Sequence, residues 1–311
     1  MRWHRRQRRE TAPARRSWPQ ATRISANLPA PVARRGAFPE GIGTMGIVIG
    51  TRGSALALAQ ARIVADRLDG PVELRVIRTA GDATAAPLSA LGDGVFVDAI
   101  ERALANGEVD VAVHSLKDLP TAEREDLVIA AIPEREDPRD VLITRERGGL
   151  ASLPPRAVVG TSSPRRAAFL RALAPGITAR EIRGNVETRL RKVRDGGYDA
   201  TVLALAGLRR LALAVDDAEI LTLAQCPPAP GQGALALQCR RGDAALAATL
   251  ARLDHAPTRR AVTAERALLR ALGASCALAL GAHARVAGGE IVLEAALATD
   301  DGVIRATARG A

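Results

Sequence analysis

The sequence predicts an α/β protein built on largely parallel sheets. Three observations lead there: short apolar runs alternate with amphipathic, helix-length segments from Ile47 onward, several of those runs end abruptly in Gly-Thr or polar turns, and 311 residues suffice for two or three domains with their own cores. Ile47-Val-Ile49 reads as the first buried strand, and Gly50-Thr-Arg-Gly-Ser54 turns it into an apolar-periodic helix from Ala55 to about Leu68. Val111-Ala-Val113 is another buried strand. It ends in His114-Ser-Leu-Lys-Asp-Leu-Pro120, polar residues that a packed core would not select. Ala157-Val-Val159 repeats the first arrangement through Gly160-Thr-Ser-Ser-Pro-Arg-Arg166 into a helix ending near Ala174, with Ser163 as N-cap and Pro164 at the first helical position.

A second echo pairs Asp110-Val-Ala-Val113 with Asp199-Ala-Thr-Val202, and either two lobes of similar construction or convergent turn chemistry accounts for it. Pro-rich or polar joints at residues 133–138 and 226–233 are natural crossings between lobes, and residues 234–239 read as a strand that returns to complete the first lobe. A third unit begins near Ala256 with a helix from Thr258 to about Leu272. Its residues 290–297 alternate as an antiparallel strand does.

The net charge of +10 suggests a nucleic-acid binder until its location is considered. Residues 1–44 hold ten arginines against Glu10 and Glu40, which leaves only +2 for residues 45–311, whose aromatics are Phe96, Phe169 and Tyr198. Such a surface offers no stacking platform, so no nucleic-acid partner is expected of the folded part. Segment 1–44 has no apolar h-region and no periodicity, and it reads as disordered or as a mis-called N-terminal extension, Met45 standing directly before the first strand. A basic targeting peptide is the alternative, although no amphipathic face is evident. Deleting residues 1–44 is expected to leave folding and activity intact, because every motif lies downstream; loss of solubility or activity on deletion would contradict the mis-start reading.

No run approaches the roughly 18 to 20 apolar residues that span a bilayer, so a soluble protein with no membrane partner is expected. Cys226, Cys239 and Cys276 are odd in number with no CxxC spacing, and His4, His114, His255 and His283 are scattered. Neither a disulfide framework nor a metal site is expected, which fits a reducing cytoplasm.

Chemistry concentrates at the ends of strands. Lys117 is one of only two lysines, and its pairing with Asp118 reads evenly as a surface ion pair or as a functional pair. Arg52, Arg165, Arg166, Arg183 and Arg189 recur where strands give way to helices, joined by Arg209 and Arg210. Any one arginine in so Arg-rich a chain reads as solvated surface, but their shared position points to a polyanionic small ligand. Cys276, among small residues, reads as an inert buried cysteine or as a reachable thiol able to form a thioether with a carbon electrophile. Cys239 reads as core.

From about Gly46 to its C-terminus the chain resembles the porphobilinogen deaminase family, also called hydroxymethylbilane synthases. The resemblance is carried by Thr51-Arg-Gly-Ser-Ala-Leu-Ala-Leu-Ala-Gln60, Val113-His-Ser-Leu-Lys-Asp-Leu-Pro120, Glu134-Arg-Glu-Asp-Pro-Arg-Asp140, Gly160-Thr-Ser-Ser-Pro-Arg-Arg166, Arg183-Gly-Asn-Val-Glu-Thr-Arg189, Ala204-Leu-Ala-Gly-Leu-Arg-Arg210, Pro230-Gly-Gln-Gly233 and Ala264-Glu-Arg-Ala267. It implies three domains: 45–135 plus 232–252, 136–231, and a small C-terminal α+β domain, 256–311, that carries the attachment cysteine. The first two are lobes like those of periplasmic binding proteins, with a cleft between them.

The resemblance also implies an enzyme that joins four porphobilinogen molecules head to tail into linear hydroxymethylbilane, releasing ammonia, on a dipyrromethane cofactor held by thioether to Cys276. Asp118 matches the catalytic aspartate, and Ser115 and Lys117 match neighbouring contacts. Arg52, Ser54, Arg165, Arg166, Arg183, Arg189 and Arg210 match carboxylate-binding positions, while Thr161, Ser162 and Ser163 match the loop that holds the primer. A monomer passing its product to a downstream tetrapyrrole enzyme is implied as well.

Two departures stand out. Gly92-Asp-Gly-Val-Phe96 places Asp93, beside Phe96, where many members carry a lysine in the lid, and Ser275 and Ala279 replace the usual Gly and Pro around the attachment cysteine. The competing readings are a non-catalytic anion-binding protein on the same scaffold and a nucleic-acid protein acting through its Arg-rich tail.

Overall fold

Strand β1 (Ile47–Thr51) leads into helix α1 (Ala55–Ala65), whose start is fixed by Ser54, which accepts a hydrogen bond from the Ala57 N–H at 3.3 Å. This arrangement belongs to a computed structural model that describes residues 46–79, 94, 97–146, 148–214, 218–273, 278–299 and 301–310. The chain continues through β2 (Val72–Val76), α2 (Asp98–Ala105), β3 (Val111–Ser115), a single 3₁₀ turn at Leu116–Asp118, and β4 (Leu127–Ala131). A second set follows: β5 (Asp140–Thr144), β6 (Val158–Gly160), α3 (Pro164–Leu173), β7 (Thr178–Arg180), α4 (Val186–Arg194), β8 (Ala200–Ala204), α5 (Leu205–Arg210) and β9 (Glu219–Ile220). Then come β10 (Leu235–Arg240), α6 (Ala244–Ala251), the long α7 (Ala256–Ala271), and the strands β11 (Leu280–Ala287), β12 (Glu290–Thr299) and β13 (Gly302–Gly310).

The two large sheets share one topology. The first has the order β2-β1-β3-β10-β4 and the second β7-β6-β8-β5-β9, each with three parallel strands followed by two antiparallel joins. The strand at residues 234–239 expected to return to the first lobe is β10, which pairs antiparallel with β3 and β4.

The echo between Asp110 and Asp199 is geometric as well. Asp110 Oδ2 accepts from the Val48 N–H at 2.9 Å and Asp199 Oδ2 from the Val158 N–H at 2.8 Å, each satisfying a backbone donor of the adjacent parallel strand. The other carboxylate oxygen of each pairs with an arginine from the antiparallel neighbour, Arg240 at 3.2 Å and Arg145 at 3.2 Å. The two Gly-Thr openings occupy equivalent places too: a Cβ at Gly50 would lie 2.9 Å from Val109 Cγ2, and one at Gly160 would lie 2.9 Å from Ile182 Cδ1. Glycine is therefore required by packing at both.

Each sheet buries an apolar face under its helices. Ile49, Val64, Val111, Val113, Leu237 and Cys239 pack together in the first lobe, and Leu142, Val159, Phe169, Leu170 and Val202 in the second. Cys239 is core, as its strand context predicts.

The chain crosses between lobes twice, and the crossings touch. Glu136 donates its N–H to the Gly233 carbonyl at 3.2 Å, and Gly233, with φ +88°, leaves no room for a Cβ against the Glu136 carbonyl. Helix α7 clamps this junction. The fully buried Glu265 carboxylate accepts from both Arg135 terminal nitrogens at 2.7 and 3.0 Å and from the N–H groups of Gly231 and Ala284 at 2.7 Å each. The next residue, Arg266, donates to the carbonyls of Leu119 at 2.9 Å and Pro120 at 2.8 Å, bracing the segment that follows Asp118.

Candidate active site

In an open α/β sheet, ligands collect beyond the carboxyl ends of adjacent strands whose connections leave in opposite directions. In the first lobe that point lies between β1 and β3. A pocket opens there, lined by Arg52 and Ser54 from the β1 turn, Gln60 from α1, and His114, Ser115 and Asp118 from the end of β3. Four residues selected from the sequence thus meet: Arg52, Ser54, Ser115 and Asp118. Gln60 was not among them, although its motif was; its side-chain amide bonds the Ser115 hydroxyl at 3.0 Å.

Lys117 faces the other way from the pocket-lining Asp118. Its Nζ donates to Gln232 Oε1 at 3.3 Å, and Gln232, 1% exposed, donates in turn to the Pro138 carbonyl at 2.7 Å and to Asp140 Oδ1 at 2.8 Å. A polar path therefore runs from the turn of the first lobe, through the second crossing, to the root of β5 in the other lobe. Burial pushes the Lys117 amine down to about 8, against the opposing charge of Asp118. The amine is charged below that pH and neutral above it. Affinity for an anionic ligand drawn by this charge is accordingly expected to fall as pH rises through 8, with proton uptake on binding near that pH. Calorimetry in buffers of different ionisation enthalpy reads this directly; affinity that holds unchanged to about pH 10, where ordinary lysines titrate, would contradict it.

The second lobe presents the equivalent point between β6 and β8. Thr161, Ser162 and Ser163 shape the turn after β6: Thr161 Oγ1 accepts from the Ser163 N–H at 3.1 Å, Ser162 donates to the Ile182 carbonyl at 2.6 Å, and Ser163 caps α3 by accepting from the Arg166 N–H at 3.4 Å. Pro164 opens the helix, as the sequence predicts.

Arg165 and Arg166 are 4% and 7% exposed, and each places one terminal nitrogen 2.7 Å from the Asp140 carboxylate. Burial alone would raise the Asp140 pKa, but the two guanidinium charges and their hydrogen bonds outweigh it and hold the carboxyl well below the ordinary carboxylate range. Asp140 was quoted in a motif without a role. Its function as counter-ion is legible only once β5 and α3 are side by side.

Arg189 anchors its Nε on the Gly184 carbonyl at 2.8 Å, and burial, then the charges of Arg166 and Arg183, lower its pKa to about 10. Arg183 lies 3.8 Å from Glu181. Arg210 donates to the Gly233 carbonyl at 2.6 Å, and burial lowers its pKa to about 10. Arg189 and Arg210 remain cationic near neutral pH, so the second lobe contributes a concentrated positive field. Cys276, Asp93 and Phe96 lie outside the described residues. Among the described residues there is no group of three His, Cys, Asp or Glu placed to hold a metal ion, and no helix is long and apolar enough to cross a membrane.

A two-lobed α/β protein with a carboxylate pocket on one lobe and an arginine field on the other is the class that this geometry defines. Residues 47–248 match the family described as porphobilinogen deaminase, dipyromethane cofactor binding domain, and residues 259–311 match porphobilinogen deaminase, C-terminal domain. The porphobilinogen deaminase of Mycolicibacterium paratuberculosis is 54% identical over 243 residues, covering 77% of this chain and 77% of that protein. That of Mycobacterium leprae is 53% identical over the same length and shares. The chain belongs to the porphobilinogen deaminase family. Among solved structures, an ancestral cationic amino acid solute binding protein overlaps 73% of this chain and 91% of its own at a TM-score of 0.42 and 15% identity.

Proposed function

We propose that the chain joins four porphobilinogen molecules head to tail, releasing one ammonia per condensation, and that one water then cleaves the tetrapyrrole from the primer and becomes the hydroxyl of the linear product hydroxymethylbilane. The observation that carries this reading is the meeting of Asp118 with Arg52, Ser54 and Ser115 in one pocket at the strand ends of the first lobe. Porphobilinogen bears two carboxylates and an aminomethyl group. Arginine and serine donors hold the carboxylates, and Asp118 stabilises the cation that forms as ammonia departs and accepts the proton released when the new carbon–carbon bond forms. The experiment is incubation of the purified protein with porphobilinogen. Four substrates consumed and four ammonia released per linear tetrapyrrole support the reading, whereas binding without ammonia release favours the non-catalytic anion binder.

A dipyrromethane cofactor fits the donors of the second lobe. Among the described residues the buried Nε–H groups of Arg165 and Arg166 have no hydrogen-bond partner, and an acidic group seated there would supply acceptors. Thr161, Ser162 and Ser163 would shape its seat, Arg183 and Arg189 would answer its carboxylates, and Cys276 would hold it by thioether. When bound, the group supplies the pyrrole from which the chain grows. Domain limits at 45–135 plus 232–252, 136–231 and 256–311 follow from the same reading, as do Asp93 and Phe96 as lid residues. Work as a monomer in the cytoplasm, with product passed to a downstream tetrapyrrole enzyme, completes it; the free, buried Cys226 and Cys239 suit a reducing compartment.

A further inference from the structure

We propose that His114 is a ligand-contacting residue of the Asp118 pocket, locked with its proton on Nε2 so that Nδ1 offers a lone pair to an N–H donor of the bound pyrrole. This rests on the assignment of that pocket to porphobilinogen. His114 is 5% exposed and lines the same pocket as Ser115 and Asp118. Its Nε2 lies 3.1 Å from Oε1 of Gln238, a residue 2% exposed on β10. Gln238 in turn donates from Nε2 to Glu101 Oε1 at 2.8 Å, from the face of α2.

The hydrogen bonds set the direction of the chain. Burial raises the Glu101 pKa and the Gln238 hydrogen bond opposes it; with Gln238 Nε2 donating to this carboxylate oxygen, the amide oxygen is turned toward His114. An amide oxygen only accepts, so the imidazole must present Nε2–H to it, and Nδ1 is left without a proton. Among the described residues Nδ1 has no hydrogen-bond partner, and it is not sealed within the core. Burial, partly opposed by the Gln238 hydrogen bond, lowers the imidazole pKa to about 4, so the ring is neutral at physiological pH. Val111 and Val113 on the same strand go to the apolar cluster under α1, whereas a polar chain of three residues runs through the opposite side of the sheet and ends at the pocket. Asp118 supplies charge there. A neutral lone pair supplies direction, without repelling an aminomethyl cation.

The test is nitrogen-15 NMR of histidine-labelled, primer-loaded Asp118→Asn protein, in which turnover is slow enough to observe the complex. The expected spectrum shows His114 protonated on Nε2 and bare on Nδ1, with the Nδ1 resonance moving on addition of porphobilinogen. A matching pyrrole dicarboxylate without the aminomethyl group should move it equally if the ring N–H is the donor, and leave it unmoved if the donor is the aminomethyl group; either result supports an N–H contact. Protonation on Nδ1, or an unmoved Nδ1 resonance with porphobilinogen while the Ser115 and Asp118 amides shift, overturns the proposal and leaves the pocket assignment standing. If neither His114 nor those amides respond, both fail. Glu101→Gln, outside the pocket, should release the lock, populate both tautomers and raise KM roughly two- to tenfold, the range for one neutral hydrogen bond. A single unchanged tautomer in that variant would overturn the role given to Glu101.

Discussion

Replacing Asp118 by Asn lowers turnover by roughly two to three orders of magnitude or more, the loss that accompanies removal of one preorganised electrostatic stabiliser. The carboxylate sits at the end of a 3₁₀ turn, exposed at the pocket edge and braced from behind by Arg266 through the Leu119 and Pro120 carbonyls. Asparagine keeps that shape and loses both the charge that answers the departing ammonia's cation and the capacity to take a proton. Asp118→Glu keeps the charge and shifts its position, so more activity survives. Because the side chain is exposed, the folded state is expected to lose little stability in either variant. Single-turnover ammonia release from porphobilinogen by primer-loaded protein separates chemistry from binding; a near-normal rate for Asp118→Asn would remove the residue from the mechanism.

Asp140→Asn carries the largest expected stability effect. The carboxylate is fully buried between Arg165, Arg166 and the Gln232 amide, and neutralising it leaves two guanidinium groups in the core without their counter-charge. Breaking a buried pair from one side costs about 3–5 kcal/mol, far more than the pair itself contributes relative to apolar residues. Denaturant unfolding of the purified variant measures it, with an unchanged slope marking a pure stability change. A loss below about 1 kcal/mol, the scale of an exposed ion pair, would show that the arginines find other acceptors or water, and the network between the lobes would then not depend on Asp140.

What the sequence made legible was local. Ser163 followed by Pro164 announces a helix start because both residues act within one turn, and the run after Gly233 announces a strand because its apolar residues are contiguous. The echo at Asp110 and Asp199 was visible as spelling, but its meaning required the register of parallel strands, where each carboxylate meets the backbone of a residue 62 or 41 positions away. Asp140 and Gln232 were hidden for the same reason. Their partners are 25, 26 and 92 positions distant, and no local period encodes such contacts. Arg165 and Arg166 show the opposite hazard: adjacent arginines after a strand suggest an open anion site, whereas both terminal nitrogens of each are engaged inside the lobe, leaving Nε without a partner among the described residues. His114 read only as the first polar residue after the strand, because the residues that orient it come from α2 and β10, whereas it is a buried member of β3.

The intact mass of the purified, denatured protein decides whether this chain builds its product on a thioether-held primer. The family reading requires an excess over the sequence mass equal to two linked pyrrole units, retained in Cys226→Ser and Cys239→Ser and absent from Cys276→Ser, since a serine hydroxyl is a far poorer nucleophile than a thiolate. A wild-type chain at its bare sequence mass, or a Cys276→Ser chain that still carries the two pyrroles, would contradict it.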